Sequence, residues 1–177
     1  MPRMVLVALM VAGGVVLGYL RGGRLRYVGA TRLRWSALVA LAAGGHIAIT
    51  GMGGSPSPVR TILLAGISSA LVGFAWANRM LPGTGLLLLG FALNAMVIIL
   101  NGGMPVSPTA LLAIGDVPHV IPAGPHHVLE PDDRLWLLAD VLPVPALGSI
   151  YSIGDITVAA GTGTLVTNLM RARVATS

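Results

Sequence analysis

Two aspartates are the residues best able to do chemistry in this chain. Asp140 and Asp155 are separated by a stretch holding Pro143, Pro145 and Gly148, which can turn the chain back on itself. Two carboxylates held close share one proton, so one serves as base toward water and the other as acid. On that reading Asp140 and Asp155 form a catalytic pair. The polar residues His46, Asn94, Asn101, Gly103 and Ser152 then make up the binding surroundings, with Asn101 orienting water or a substrate carbonyl. The same residues also have a purely architectural use. Ser152-x-x-Asp155 has the spacing of a capping box, in which hydroxyl and carboxylate satisfy orphan amides at the start of a helix. Asp140, close to Pro143, then ends a short helix at an interface.

Metal chemistry fares worse. His119, His126 and His127 lie near Asp116, Glu130 and Asp132, yet no two of the histidines have the i, i+3 or i, i+4 spacing that sets two ligands on one helix face. Pro122 and Pro125 between them read as irregular loop, so solvated loop histidines are expected, with no metal and no cofactor. The chain has 0 cysteines, which removes thiol nucleophiles, disulfides and thiolate-bound metals. No phosphate loop, nucleotide fingerprint or Ser-His-Asp order is present, and Gly161-Thr-Gly-Thr falls inside an apolar run.

What must position these side chains is a membrane fold. Of 177 residues, 55% are hydrophobic and 10% charged, and mean hydropathy is +0.85. A soluble domain of this size could not cover its outside with so few polar side chains. Five apolar runs, 5–20, 35–50, 61–77, 86–100 and 153–170, are each just long enough to cross a hydrocarbon core as a helix. The expected fold is therefore an all-α, five-helix transmembrane bundle forming one polytopic domain over residues 1–177.

All 11 basic residues are arginine, and the net charge is +5. They lie between the runs rather than along one patterned helix, so topology and lipid headgroups account for them better than nucleic acid does. With five spans, eight arginines (21, 24, 26, 32, 34, 79, 171 and 173) fall on one side and three (3, 60 and 134) on the other. The positive-inside rule then puts the N-terminus outside and the C-terminus in the cytoplasm. The first run is followed at once by arginines and lacks a small-residue cleavage site, so it reads as a span rather than a cleaved signal. Gly14 with Gly18, Gly66 with Ala70, and Ser69 with Gly73 are small-xxx-small pairs suited to close helix packing within one chain.

The segment 101–151 differs in kind, carrying eight of the 12 prolines, three of the four histidines and five of the six acids. It reads as an outward Pro-rich cap. Ser107-Pro108 before Ala110–Ile114 predicts one short helix, and Asp132-Asp133 before Leu135–Leu142 predicts a second. His46, Asn94, Asn101, Asp140 and Asp155 are expected to converge at one depth in the outer leaflet.

Three stretches carry a resemblance: Gly22-Gly23-Arg24-Leu25-Arg26; Asn101-Gly102-Gly103-Met104-Pro105-Val106-Ser107; and Leu137-Leu138-Ala139-Asp140 with Ser152-Ile153-Gly154-Asp155. With them the chain resembles a family of small multi-span bacterial membrane proteins known only as a domain of unknown function. The resemblance implies a multi-pass protein of the bacterial cell membrane and no particular activity. A narrower similarity, to lipoprotein signal peptidases, rests on Tyr151-Ser152-Ile153-Gly154-Asp155 with Gly161, on Asn101-x-Gly103, and on Asp133-Arg134 before Asp140. It implies an aspartyl peptidase, but those enzymes have two spans between the Asn-x-Gly and the first aspartate, and here none fits. The leading expectation is a non-enzymatic envelope component. Its partners are membrane lipids and, at an outward polar site, a lipid, small solute or partner protein. The alternatives are a two-aspartate intramembrane peptidase and a small-solute or ion carrier.

Overall fold

The structure, a computed structural model, describes residues 3–51, 57–117 and 125–172. Its α-helices are α1 (Arg3–Leu20), α2 (Ser36–Gly51), α3 (Pro58–Ala77), α4 (Thr84–Asn101), the short α5 (Pro108–Ala113) and α6 (Ile153–Leu169). Each apolar run of the sequence is thus one helix. α3 and α4, with mean hydropathies of 1.6 and 2.0, are long and apolar enough to cross a membrane, whereas α1 and α2 contribute shorter apolar stretches. Helix starts follow local chemistry. Ser57 accepts from the Arg60 amide ahead of Pro58, Ser107 accepts from Ala110 ahead of Pro108, and Gly102 closes α4 in the left-handed conformation.

The five long helices pack in the order α1–α6–α4–α3–α2. Glycine sets how closely they approach. A Cβ on Gly14 would stand 2.5 Å from the Gly163 carbonyl oxygen, and the Thr167 hydroxyl bridges α6 to the Gly14 carbonyl at 2.9 Å. Gly18 likewise leaves room for Met170, so the Gly14/Gly18 pair works inside the chain, as its spacing suggests. The Gly66/Ala70 expectation fails, because nothing lies within 4 Å of a Cβ built at Gly66. On α2, Gly45 makes the close approach instead, against Ile67.

One end of this row is tied together by backbone and amide contacts. The Arg24 amide donates to the Met170 carbonyl at 2.8 Å, and Asn78 exchanges two hydrogen bonds with the Arg34 backbone. The other end carries the Pro-rich segment. There β1 (Met104–Val106) pairs in parallel with β2 (His126–Val128), and β3 (Leu142–Val144) pairs antiparallel with β4 (Ser149–Tyr151).

These short strands correct the purely helical expectation for the cap. α5 forms where Ser107-Pro108 predicts it, but the second short helix does not form. Leu135 takes a left-handed φ of 55°, one 3-10 turn covers Trp136–Leu138, and the chain then extends into β3. Asp140 is committed to a bridge with Val106, donating its amide to the Pro105 carbonyl at 3.0 Å and accepting from the Ser107 amide at 2.9 Å. Pro143 and Pro145 then withhold the donors that further helix needs.

Candidate functional site

Three of the sequence-predicted residues come together where α4 meets the start of α6. The Asn94 side-chain amide donates to Asp155 Oδ1 at 2.8 Å, and the Ser152 hydroxyl donates to Asn94 Oδ1 at 3.0 Å. Ser152 and Asp155 complete the capping box: the Ser152 amide donates to Asp155 Oδ2 at 3.1 Å, and Ser152 Oγ accepts from the Asp155 amide at 2.9 Å. Ser152 is fully buried, and Asn94 and Asp155 are half-buried. The approach depends on two glycines. A Cβ on Gly154 would overlap the Asn94 carboxamide, and one on Gly90 would stand 2.6 Å from the Gly154 carbonyl. Gly90 escapes notice in the sequence, although Gly90-x-x-x-Asn94 carries the small residue and the polar partner on one helix face.

Asp140 lies outside this network. Its residue is 0% exposed, inside the cap, and its carboxylate stands 3.8 Å from His126 Nε2. That burial corrects the expectation of an interface residue closing a short helix. The Pro143–Gly148 stretch does return the chain, as its composition suggests: Gly148 has φ 54°, and Leu142 pairs with Tyr151. Asp140 thus precedes one strand of this pairing and Asp155 follows the other. They have different partners, His126 for Asp140 and Asn94 with Ser152 for Asp155.

Asn101 uses both ends of its carboxamide on backbone. It accepts from the Arg134 amide at 2.8 Å and donates to the Arg134 carbonyl at 2.9 Å, fastening the Trp136–Leu138 turn to α4. Gly103 is buried, and a Cβ there would meet the Pro125 carbonyl at 3.0 Å and His127 Nδ1 at 3.1 Å. His46 is exposed on α2, with α3 and α4 standing between its helix and α6, so it does not join the trio.

The histidines of the cap are also corrected. His126 and His127 are half-buried rather than solvated, and His127 Nε2 lies 3.0 Å from Asp133 Oδ1. Asp133 in turn accepts from the Glu130 amide at 2.8 Å. The His127-x5-Asp133 spacing carries no sequence signal, because the intervening chain is irregular. Among the described residues, no group of three His, Cys, Asp or Glu side chains is placed to hold a metal ion, and His119 lies outside them.

This arrangement, a helical row capped by the 101–151 segment, coincides with a sequence match: residues 30–167 fit a family of unknown function (DUF5317). The chain belongs to that family. The matched range includes the trio, Asn101, Gly103 and Asp140, so the whole candidate site is family territory. It stops short of the arginines at 21, 24, 26 and 171. No curated protein and no solved structure matches the chain.

Proposed function

We propose that this is a multi-pass protein of the bacterial cell membrane that works by binding rather than by catalysis. α1, α2, α3, α4 and α6 are its spans, and the cap faces outward to engage a lipid, small solute or partner protein. The observation that carries the non-catalytic reading is the commitment of both carboxylates. Asp155 is engaged on both oxygens by Asn94 and Ser152, and Asp140 is 0% exposed against His126. A hydrolytic pair needs an aqueous reaction space between its carboxylates. Asp155 instead holds the start of α6 to α4, and Asp140 holds the cap's interior.

The membrane reading is supported by the distribution of side chains along the row. Arg21, Arg24, Arg26, Arg34, Arg79 and Arg171 gather at the end opposite the cap, as the positive-inside rule asks of a cytoplasmic face. At the cap end, Trp136 and Leu137 are 54% and 59% exposed beside α4, where an amphipathic ring suits the outer interface. The test uses purified protein with a membrane-anchored lipopeptide. The expected result is no cleavage by the wild type. Cleavage that Asp155→Asn abolishes while the fold survives would establish the two-aspartate peptidase and overturn the binding reading.

A further inference from the structure

The end of the row opposite the cap holds a cavity of about 370 Å³ lined by Arg21, Gly22, Arg24, Arg26, Tyr27 and Arg171. Its geometry is built by the fold. Gly22 takes φ 77° and turns the chain out of α1. Gly23 lies so close to α6 that a Cβ would stand 2.8 Å from the Met170 carbonyl oxygen. The Arg24 amide then fastens to that same carbonyl, which brings Arg171 to the arginines that follow α1. Arg26 lies over the Tyr27 ring, 5.2 Å from its centroid, which holds one guanidinium in place.

Arg21, Arg24, Arg26 and Arg171 are exposed, so water screens their mutual repulsion, but together they concentrate positive charge around one cavity, where an anion is favoured. Among the described residues, no acidic side chain lies nearby. All six of its acids lie at Asp116 or beyond, five of them in the 101–151 segment. The sixth, Asp155, is sixteen residues from Arg171 along α6, roughly 24 Å at the helical rise. Among the described residues, Arg21, Arg24, Arg26 and Arg171 form no salt bridge with a carboxylate. Guanidinium forks match the oxygens of a phosphate, each pairing bidentately.

A second cavity, of about 350 Å³, adjoins the first through Arg171, which lines both. Its other walls include Leu81, Pro82, Leu165 and Leu169, so it is largely apolar. A basic cavity beside an apolar groove, joined at one arginine, has the two compartments of a phospholipid. We infer that this is a binding site for an anionic phospholipid, with the headgroup phosphate among Arg21, Arg24, Arg26 and Arg171 and an acyl chain along Leu81, Leu165 and Leu169. The inference rests on the membrane reading, since the lipid must reach the protein from a bilayer leaflet.

The test is native mass spectrometry of protein released from nanodiscs containing phosphatidylcholine and phosphatidylglycerol. The wild type is expected to retain phosphatidylglycerol preferentially, and Arg24→Gln with Arg171→Gln to lower that preference roughly tenfold through loss of two charge-assisted contacts. Arg79→Gln, whose charge lies outside both cavities, should leave it unchanged. Arg24→Lys keeps the charge without the fork and should fall between, which guards against a double variant that fails to fold. Equal retention by wild type and double variant overturns the site. If inorganic phosphate stabilises the protein in neutral micelles as well as phosphatidylglycerol does, the ligand is a soluble phosphate and the lipid assignment falls. Lipid retention is independent of orientation, so its failure is distinguishable from a failure of the topology.

Discussion

Exchanging the two partners at the α4–α6 junction tests whether Asn94, Ser152 and Asp155 work as one hydrogen-bonded unit. Asp155 accepts from the Asn94 side chain at 2.8 Å and from the Ser152 amide at 3.1 Å, one bond on each oxygen. Asp155→Asn leaves one acceptor oxygen for two donors, so one donor faces an NH2 group. A hydrogen bond to a charged group contributes about 1.5–3 kcal/mol, so this substitution should cost about 2–3 kcal/mol. That exceeds the small effect expected of an exposed cap, where Asn caps as well as Asp. Asn94→Asp removes the donor and sets two carboxylates together, with a loss of at least about 2 kcal/mol. The double exchange restores every bond. The introduced amide donates to the introduced carboxylate, still accepts from the Ser152 amide, and the Ser152 hydroxyl keeps its acceptor. With both single losses recovered in the double variant, the pair should be coupled by at least about 4 kcal/mol in a double-mutant cycle. Equilibrium unfolding in mixed micelles, followed by tryptophan fluorescence, measures it. Single losses that simply add in the double variant would refute the reasoning.

Four further outcomes follow from the packing. Gly14→Ala drives a Cβ onto the Gly163 carbonyl and should destabilise by about 1–3 kcal/mol. Gly66→Ala meets nothing within 4 Å and should stabilise by about 0.5–1 kcal/mol, both read by the same unfolding assay. Asn101→Ala frees the Arg134 backbone, so amide exchange should rise across 134–138 while α3 and α4 keep their protection. Asn78→Ala removes two bonds to the Arg34 backbone and one to the Phe74 carbonyl, and should cost about 2–4 kcal/mol.

The long helices were legible because each is a run of apolar residues bounded by arginine, glycine or proline, and a helix is the economical way to satisfy its backbone. Ser107-Pro108 and Ser152-x-x-Asp155 were legible for a similar reason, since a cap is a local bond between residues three apart. The strands of the cap were not. Each is three residues long, and β1 finds β2 some twenty residues away, so neither carries a period of its own. Asp140 illustrates the difference. Its place beside Pro143 suggests a helix end, but its backbone is claimed by Pro105 and Ser107, a pairing that no local pattern announces. The Asn94–Asp155 bond spans 61 residues and needs Gly90 and Gly154 to let two helices touch, so the sequence offered the participants but not their meeting. His46 shared their expected depth, but depth along a span says nothing about which neighbour a helix packs against.

The central claim, a multi-pass membrane protein with its cap outside, is tested most directly by cysteine labelling, since the chain has 0 cysteines of its own. Asp132 is exposed in the cap, and Met80, 87% exposed, lies at the opposite end. In intact cells an impermeant maleimide should label Asp132→Cys and leave Met80→Cys untouched until the membrane is opened. Labelling of Met80→Cys but not Asp132→Cys would contradict the orientation, and recovery of the unlabelled protein in the soluble fraction would contradict the membrane reading itself.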